Sequence, residues 1–260
     1  MSTEWDPDRY LRFAAERRLP YEDLVAMVEP APDMRVADLG CGPGALTADL
    51  ATRFDARSVL GIDASDTMLA KAAKHASTRV RFERGDLRSH PWGDGYDLVF
   101  SNAALHWLPD HDRVWERLRA ALSPRGQLAV QMPANFEQPT HTIAAQLAGE
   151  SPFAEALGGR RAGAAVDDPE AYAVRLHDLG FRRQVVRQAV YLHVLPGPEA
   201  ALEWVRGSML TWYRTQLGDA LFERFEAEYA TRLLAALPDR RPLPFTYRRI
   251  LMWASLATEG

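Results

Sequence analysis

The sequence holds a single cysteine, Cys41, so no disulfide can close within the chain. It has no apolar run long enough to span a bilayer as a helix. Its opening residues, MSTEWDPDRY, are acidic and without an apolar segment, and they do not read as a secretory leader. A formal net charge of −4 gives no excess of either sign to draw nucleic acid or an anionic membrane. Seven scattered histidines and one cysteine offer no metal-ligand spacing, so no metal is expected. There is no internal repeat and no low-complexity tract. What is present, 260 residues of which 47% are hydrophobic and 25% charged, has the balance of a globular protein with one large domain, or a core with a small appendage. A cytoplasmic location is expected, with a small molecule as partner and no nucleic acid, membrane or obligate protein partner.

The chain is rhythmic through its first half. Tyr10, Phe13 and Arg17 share one face of a predicted helix, and a second short helix is predicted from about Tyr21 to Val28. Strands then alternate with helices. RVADL, SVLGID, VRFERGD, YDLVFSN and GQLAVQM read as strands, the last after an SPRG turn. ALTADLATRF, SDTMLAKAAKHA (capped by Ser65) and DHDRVWERLRAAL read as the helices between them. That alternation predicts a doubly wound, mostly parallel α/β sheet, with ligands at the carboxyl ends of the strands near the switch point. After Met132 the rhythm changes. A connector with a short helix, the loop GGRRAGAAVDDP, a helix ending at Gly180 and the β-rich RRQVVRQAVYLHVL precede an aromatic-rich helical stretch, about 198–237, and a final strand, FTYRRILMWASLA. The expected organisation is an amino-terminal helical lid over 1–30, a core over 31–195, a helical cap over 196–243 and a last core strand and tail over 244–260.

The first strand runs into RVADLGCGPGA, with three glycines in five residues. Glycine tolerates positive φ and lets backbone approach a ligand closely, so such a turn commonly holds a nucleotide-like group. Gly40, Gly42 and Ala45 satisfy the dinucleotide fingerprint, and Asp63 lies roughly 20 residues on, where a ribose carboxylate belongs. An NAD-dependent oxidoreductase is therefore one candidate. Charge favours another. Asp38, two residues before Gly40, would repel a pyrophosphate but attract S-adenosylmethionine (SAM), whose sulfonium and ammonium are cationic; at about 4 Å such a pair is worth about 1–4 kcal/mol. Asp63 can accept from ribose hydroxyls, Asp86 after Gly85 from an adenine amino group, and Ser101 with Asn102 would floor the methionine end. Four successive strand ends thus carry suitable polar groups.

The run VADLGCGPG, with Asp63, Gly85-Asp86 and Ser101-Asn102, resembles class I SAM-dependent methyltransferases, whose Rossmann-like sheet has seven strands. More of the chain is similar to one family, trans-aconitate 2-methyltransferase. The similar stretches are Trp5, Pro7, Tyr10, Phe13 and Glu16-Arg17 in their spacing, then NAALHWLPDH and GQLAVQMPANFEQPTH, which together with the loop cover most of residues 4–142. Past Glu150 the similarity thins to positions such as Trp204-Val205.

The resemblance implies SAM as cofactor, S-adenosylhomocysteine as product, and a methyl ester formed on a carboxylate of a small polycarboxylic acid. The implied cofactor residues are Asp38, Gly40, Cys41, Gly42, Gly44, Asp63, Ala64, Met68, Gly85, Asp86, Leu87, Ser101 and Asn102. A carboxylate acceptor is already ionised at neutral pH, so no catalytic residue is expected beyond those that bind and orient, and His106 and His111 are read as polar loop or helix-start residues. Cys41 is read as small packing, not a nucleophile. A tricarboxylate calls for arginine forks. Arg17 is the amino-terminal candidate. Of Arg248 and Arg249 alternation lets only one face the pocket, and Arg249 is favoured over its neighbour and over Arg206 and Arg214. Tyr10, His106, Trp107, Trp204 and Tyr213 complete the expected substrate contacts. The alternatives are another small acid, hydroxyl or amine metabolite as acceptor, or SAM binding without catalysis.

Overall fold

A computed structural model describes residues 14–108, 111–160, 162 and 166–258. Among the described residues seven strands form one sheet: β1 (Arg35–Leu39), β2 (Ser58–Asp63), β3 (Val80–Arg84), β4 (Tyr96–Asn102), β5 (Leu122–Pro133), β6 (Arg183–Leu195) and β7 (Leu243–Ser255), in the order β3-β2-β1-β4-β5-β7-β6. The first five strands pair in parallel, and β7 runs antiparallel to β5. β1 has β2 on one side and β4 on the other, so the order reverses there and the glycine turn leaves the sheet at its switch point. β1 and β2 are buried at successive positions along most of their length, as parallel strands covered on both faces must be, which is why they read as continuous apolar runs.

The predicted elements are present with three differences. Where a second amino-terminal helix is expected from about Tyr21, the described residues form α1 (Ala14–Val25), which continues through Pro20; Tyr10 and Phe13 of the first expected helix lie outside the described residues. Tyr21, Leu24, Val25 and Val28 are buried in a cluster with Val36, Leu50, Val59 and Phe100, and burying that face outweighs the local cost of the proline. The strand predicted from Gly126 begins at Leu122. Its ladder pairs Tyr96 with Leu122 and next Leu98 with Gln127, so the SPRG turn is an irregularity inside one long strand. The connecting helices are α2 (Ala45–Arg53), α3 (Asp66–Ala72), α4 (His111–Ala120), α5 (Pro139–Leu147), α6 (Phe153–Leu157), α7 (Pro169–Asp178), α8 (Pro198–Arg206) and α9 (Met209–Ala236), the last broken at Gly218 where φ is 70°. Ser65 caps α3, its Oγ accepting from Met68 N at 3.3 Å.

The third difference is where the chain divides. One compact unit comprises 18–133, 164–189 and 249–260; the other is built in the main from 134–163 and 190–248. Residues 18–30, expected in a lid, thus pack with the sheet core. Helices α5 and α6, expected in the core, join the helical unit instead, while α7 stays with the sheet. In that unit Ile143, Leu147, Phe153 and Leu157 share a buried cluster with Phe225, Tyr229 and Leu233, and the Tyr229 hydroxyl donates to Thr140 O at 2.8 Å. Aromatic area of this size sets the division more strongly than chain order does. Among the described residues no helix is long and apolar enough to cross a membrane.

Candidate active site

The turn from β1 to α2 is built from backbone that only glycine suits. Gly40 has φ 81°, and a Cβ there would lie 2.1 Å from the Cβ of Ala104, in the segment after β4. Gly44, at φ 79°, is the N-cap of α2. The amides of the turn are already engaged. Gly40 N and Cys41 N donate to Ile62 O at 2.8 and 3.0 Å, Gly42 N donates to Asp63 Oδ2 at 2.9 Å, and Gly44 N donates to Cys41 O at 3.2 Å. Pro43 has no N–H to offer. A pyrophosphate cradle needs such amides pointing outward.

Two carboxylates frame the turn. Asp38 is 3% exposed and accepts from the Thr47 hydroxyl, in α2, at 2.6 Å. Burial, against which the Thr47 bond works, and the nearby Asp63 charge push its carboxyl up to about 7. Asp63 spends one oxygen on Gly42 N and the other on Ser65 N, each at 2.9 Å, and burial raises its carboxyl too, against the pull of those amides. Two carboxylates held this way make a site that gains from a cationic ligand and loses with an anionic one. Cys41 is buried between them, and burial followed by those two charges pushes its thiol well above the ordinary range, which keeps it protonated.

The neighbouring strand ends follow. Gly85 N donates to Asp63 O at 2.9 Å, tying the end of β3 to that of β2. Asp86 forks with Arg88, whose Nε lies 2.9 and 3.0 Å from its two oxygens, and this pairing holds the Asp86 carboxyl down to about 2. An adenine contact by Asp86 therefore has to share that carboxylate with Arg88. Leu87 and Met68 are buried, and Ala64 is exposed. Ser101 is buried, with Oγ donating to Leu39 O at 2.7 Å, so its hydroxyl fastens β4 to β1.

The sheet register continues this line of polar groups. Asp38 pairs with Phe100, two residues before Asn102; Asn102 pairs with Gln131; Gln131 pairs with Leu251, two residues after Arg249. Alternation puts Asp38, Asn102, Gln131 and Arg249 on the same face. Arg249 is 6% exposed, whereas Arg248 points the other way, 3.6 Å from Glu137 with its side chain 44% exposed. Gln131 Nε2 donates to Asn102 Oδ1 at 2.6 Å, and Gln131 Oε1 accepts from Arg249 Nη1 at 3.3 Å.

The other expected substrate residues are spread more widely. His106 is buried in a short 3₁₀ turn (Leu105–Trp107), its ring 4.6 Å from that of Trp107, which is the more exposed of the two. His111 opens α4, its Nε2 at 3.2 Å from Leu105 O and its Nδ1 at 3.4 Å from the Tyr172 hydroxyl; burial holds its imidazole below the usual value. Trp204 and Tyr213 are buried inside the helical unit, Trp204 stacked on His193 at 4.9 Å and Tyr213 on Phe225 at 4.6 Å, so packing alone accounts for their burial. Arg206 is engaged by Glu203 and Glu226, and Arg214 lies over the Phe222 ring at 4.8 Å. Tyr10 and the Arg17 side chain lie outside the described residues.

The methyltransferase-domain family matches residues 36–126, the stretch that contains β1 to β4 and the turn. A trans-aconitate 2-methyltransferase from Deinococcus radiodurans is 41% identical over 257 residues, covering 96% of this chain and 98% of its own. Another from Streptomyces avermitilis is 39% identical and covers 95% and 94%. The chain belongs to the trans-aconitate 2-methyltransferase family. Solved structures agree on the fold. The YcgJ protein from Bacillus subtilis superposes with a TM-score of 0.63 at 16% identity over 94% of this chain and all of its own. A methyltransferase described as putative, from Bacillus halodurans, gives 0.61 at 18% over 91% and 98%.

Family membership resolves the ambiguity of the turn in favour of methyl transfer, and the engaged amides of residues 40–44 are its physical counterpart; the NAD reading is set aside. Two residues of this trans-aconitate 2-methyltransferase family member escaped the sequence reading. Thr47 faces Asp38 across the glycine turn, and only the spacing between them could have drawn attention to it. Gln131 lies inside GQLAVQMPANFEQPTH, and its pairing with Asn102 would have followed had β4 and β5 been placed in register.

Proposed function

We propose that this chain transfers the methyl group of SAM to a carboxylate of trans-aconitate. One observation carries this function: Arg249 is held inside the fold at the strand ends, on the face that also bears Asp38 and Asn102. A planar guanidinium there suits forked recognition of an acid. Asp38, Asp63 and the turn 40–44 would hold the cationic methionine and the ribose. Residues 85–87, with Ala64 and Met68, would hold the adenine. When bound, SAM supplies a methyl group on a positively charged sulfur. The chain's own residues contribute position, charge and exclusion of water.

An ionised acceptor leaves His106 with no proton to remove. With SAM saturating, kcat is expected to stay nearly flat from about pH 6.5 to 8.5, and His106→Ala to change binding more than kcat. An acid limb that disappears in His106→Ala would instead assign a hydroxyl or amine acceptor. The direct test of function supplies methyl-labelled SAM with trans-aconitate and with a panel of small acids, alcohols and amines. Label should enter a base-labile ester of trans-aconitate. Equal labelling of a neutral alcohol, or calorimetric binding of NADH without SAM, would sink the proposal.

A further inference from the structure

Hydrogen-bond chemistry fixes the direction of the Asn102–Gln131–Arg249 chain from one end. A guanidinium has donors and no acceptor. The Gln131 atom facing Arg249 Nη1 must therefore be the carbonyl Oε1, 3.3 Å away. Gln131 is 2% exposed, so its amide has no freedom to turn toward water. Its NH2 then faces Asn102, and Asn102 must answer with Oδ1, at 2.6 Å. That leaves the NH2 of Asn102, not its carbonyl, as the end turned away from Gln131. All three side chains lie on one face of adjacent strands, with Asn102 and Gln131 in direct register and Arg249 on the diagonal.

We propose that Gln131 is a positioning residue for the acceptor: through it the polarity of Arg249 dictates that Asn102 presents a donor, so two donor groups, guanidinium and amide, are offered where a carboxylate is to be received. The inference rests on the assignment of trans-aconitate as acceptor and of Arg249 as its partner. With the amide of Asn102 reversed, its carbonyl would repel a carboxylate and favour an alcohol or amine. Gln131 therefore acts on acceptor class as well as affinity. Burial of the relay also explains why Gln131 reads as a core residue of β5 while doing the work of a polar one.

Steady-state kinetics on trans-aconitate test this with Gln131→Met, Gln131→Glu, Arg249→Ala and the double variant Gln131→Met/Arg249→Ala, with SAM affinity measured by calorimetry. Gln131→Met should raise KM for the acid about 10-fold and weaken SAM binding by less than that, the latter only through the Asn102 it releases. Gln131→Glu keeps the shape and the contact with Arg249 but sets a carboxylate beside the acid, and its KM should rise further, by about 100-fold. The double variant should be no worse than Arg249→Ala, because one relay is being broken twice. An unchanged KM in the two Gln131 variants, with Arg249→Ala impaired, would overturn the relay and leave the arginine's role standing. Multiplying effects in the double variant would do the same. An unchanged KM in Arg249→Ala would overturn both the relay and the acceptor assignment on which it rests.

Discussion

Asp38→Asn should make the ligand-free protein more stable at pH 8 and at the same time weaken SAM binding. The Asp38 carboxyl is buried, and it titrates at about 7 where an ordinary aspartate titrates at 3.8. A carboxyl whose folded value lies above its unfolded value contributes its stability at low pH. That contribution is complete below about pH 4, is lost progressively as pH rises to about 7, and stays lost above. At pH 8 the ionised carboxylate therefore burdens the fold by roughly 2–4 kcal/mol, which an asparagine would relieve while still accepting from Thr47. The same negative charge is what a cationic cofactor would meet, and its removal should cost SAM about 1–4 kcal/mol, a loss of about 5- to 700-fold in affinity. S-adenosylhomocysteine, without the sulfonium charge, should lose less. In the wild type, SAM affinity should weaken as pH falls below about 7, because the proton on Asp38 must leave first. Denaturant melts at pH 5 and pH 8 with calorimetry on both variants check each part. A destabilised Asp38→Asn with unchanged SAM affinity would make Asp38 a structural residue only.

Arg249→Ala should lower kcat/KM for trans-aconitate by about 10- to 150-fold, the equivalent of charge-assisted hydrogen bonds worth about 1.5–3 kcal/mol. SAM affinity should fall less than acid affinity, since Arg249 on β7 reaches the proposed cofactor residues at the ends of β1–β4 only through Gln131 and Asn102. Arg249→Lys should recover only part of the loss, because an ammonium cannot form the planar fork. A thermal melt in parallel separates lost chemistry from lost packing, which is needed because Arg249 also touches Gln131. Equal activity of wild type and Arg249→Ala would remove the residue from the site.

The parallel half of the fold was legible because each element announces itself locally. RVADL and SVLGID are apolar strands, the three glycines close the first turn, and Ser65 caps the helix that follows β2. The acids at the strand ends were legible for the same reason, since a carboxylate next to a glycine turn is visible in one dimension. Alternation was enough to separate Arg249 from Arg248. What could not be read depends on pairing across the chain. A separate helix expected from about Tyr21 is in fact part of one that runs through Pro20, with Tyr21 and Leu24 buried in the core. Trp204 and Tyr213 suit a pocket wall or a core equally as sequence, and only the structure supplies their ring partners, His193 and Phe225. Asp86 gave no hint that Arg88, two residues on, would engage both its oxygens. Gln131 is invisible as a polar link until β4, β5 and β7 are in register.

The central claim is that an acid is received by a buried arginine beside a strand-end site built for a cationic cofactor. A crystal structure of the protein with S-adenosylhomocysteine and trans-aconitate tests it most directly. One carboxylate of the acid should lie within hydrogen-bond distance of Arg249 and of the Asn102 NH2, with the homocysteine sulfur facing a carboxylate oxygen and Asp63 on the ribose. A complex in which the acid binds elsewhere, with Arg249 contacting protein groups alone, would contradict it.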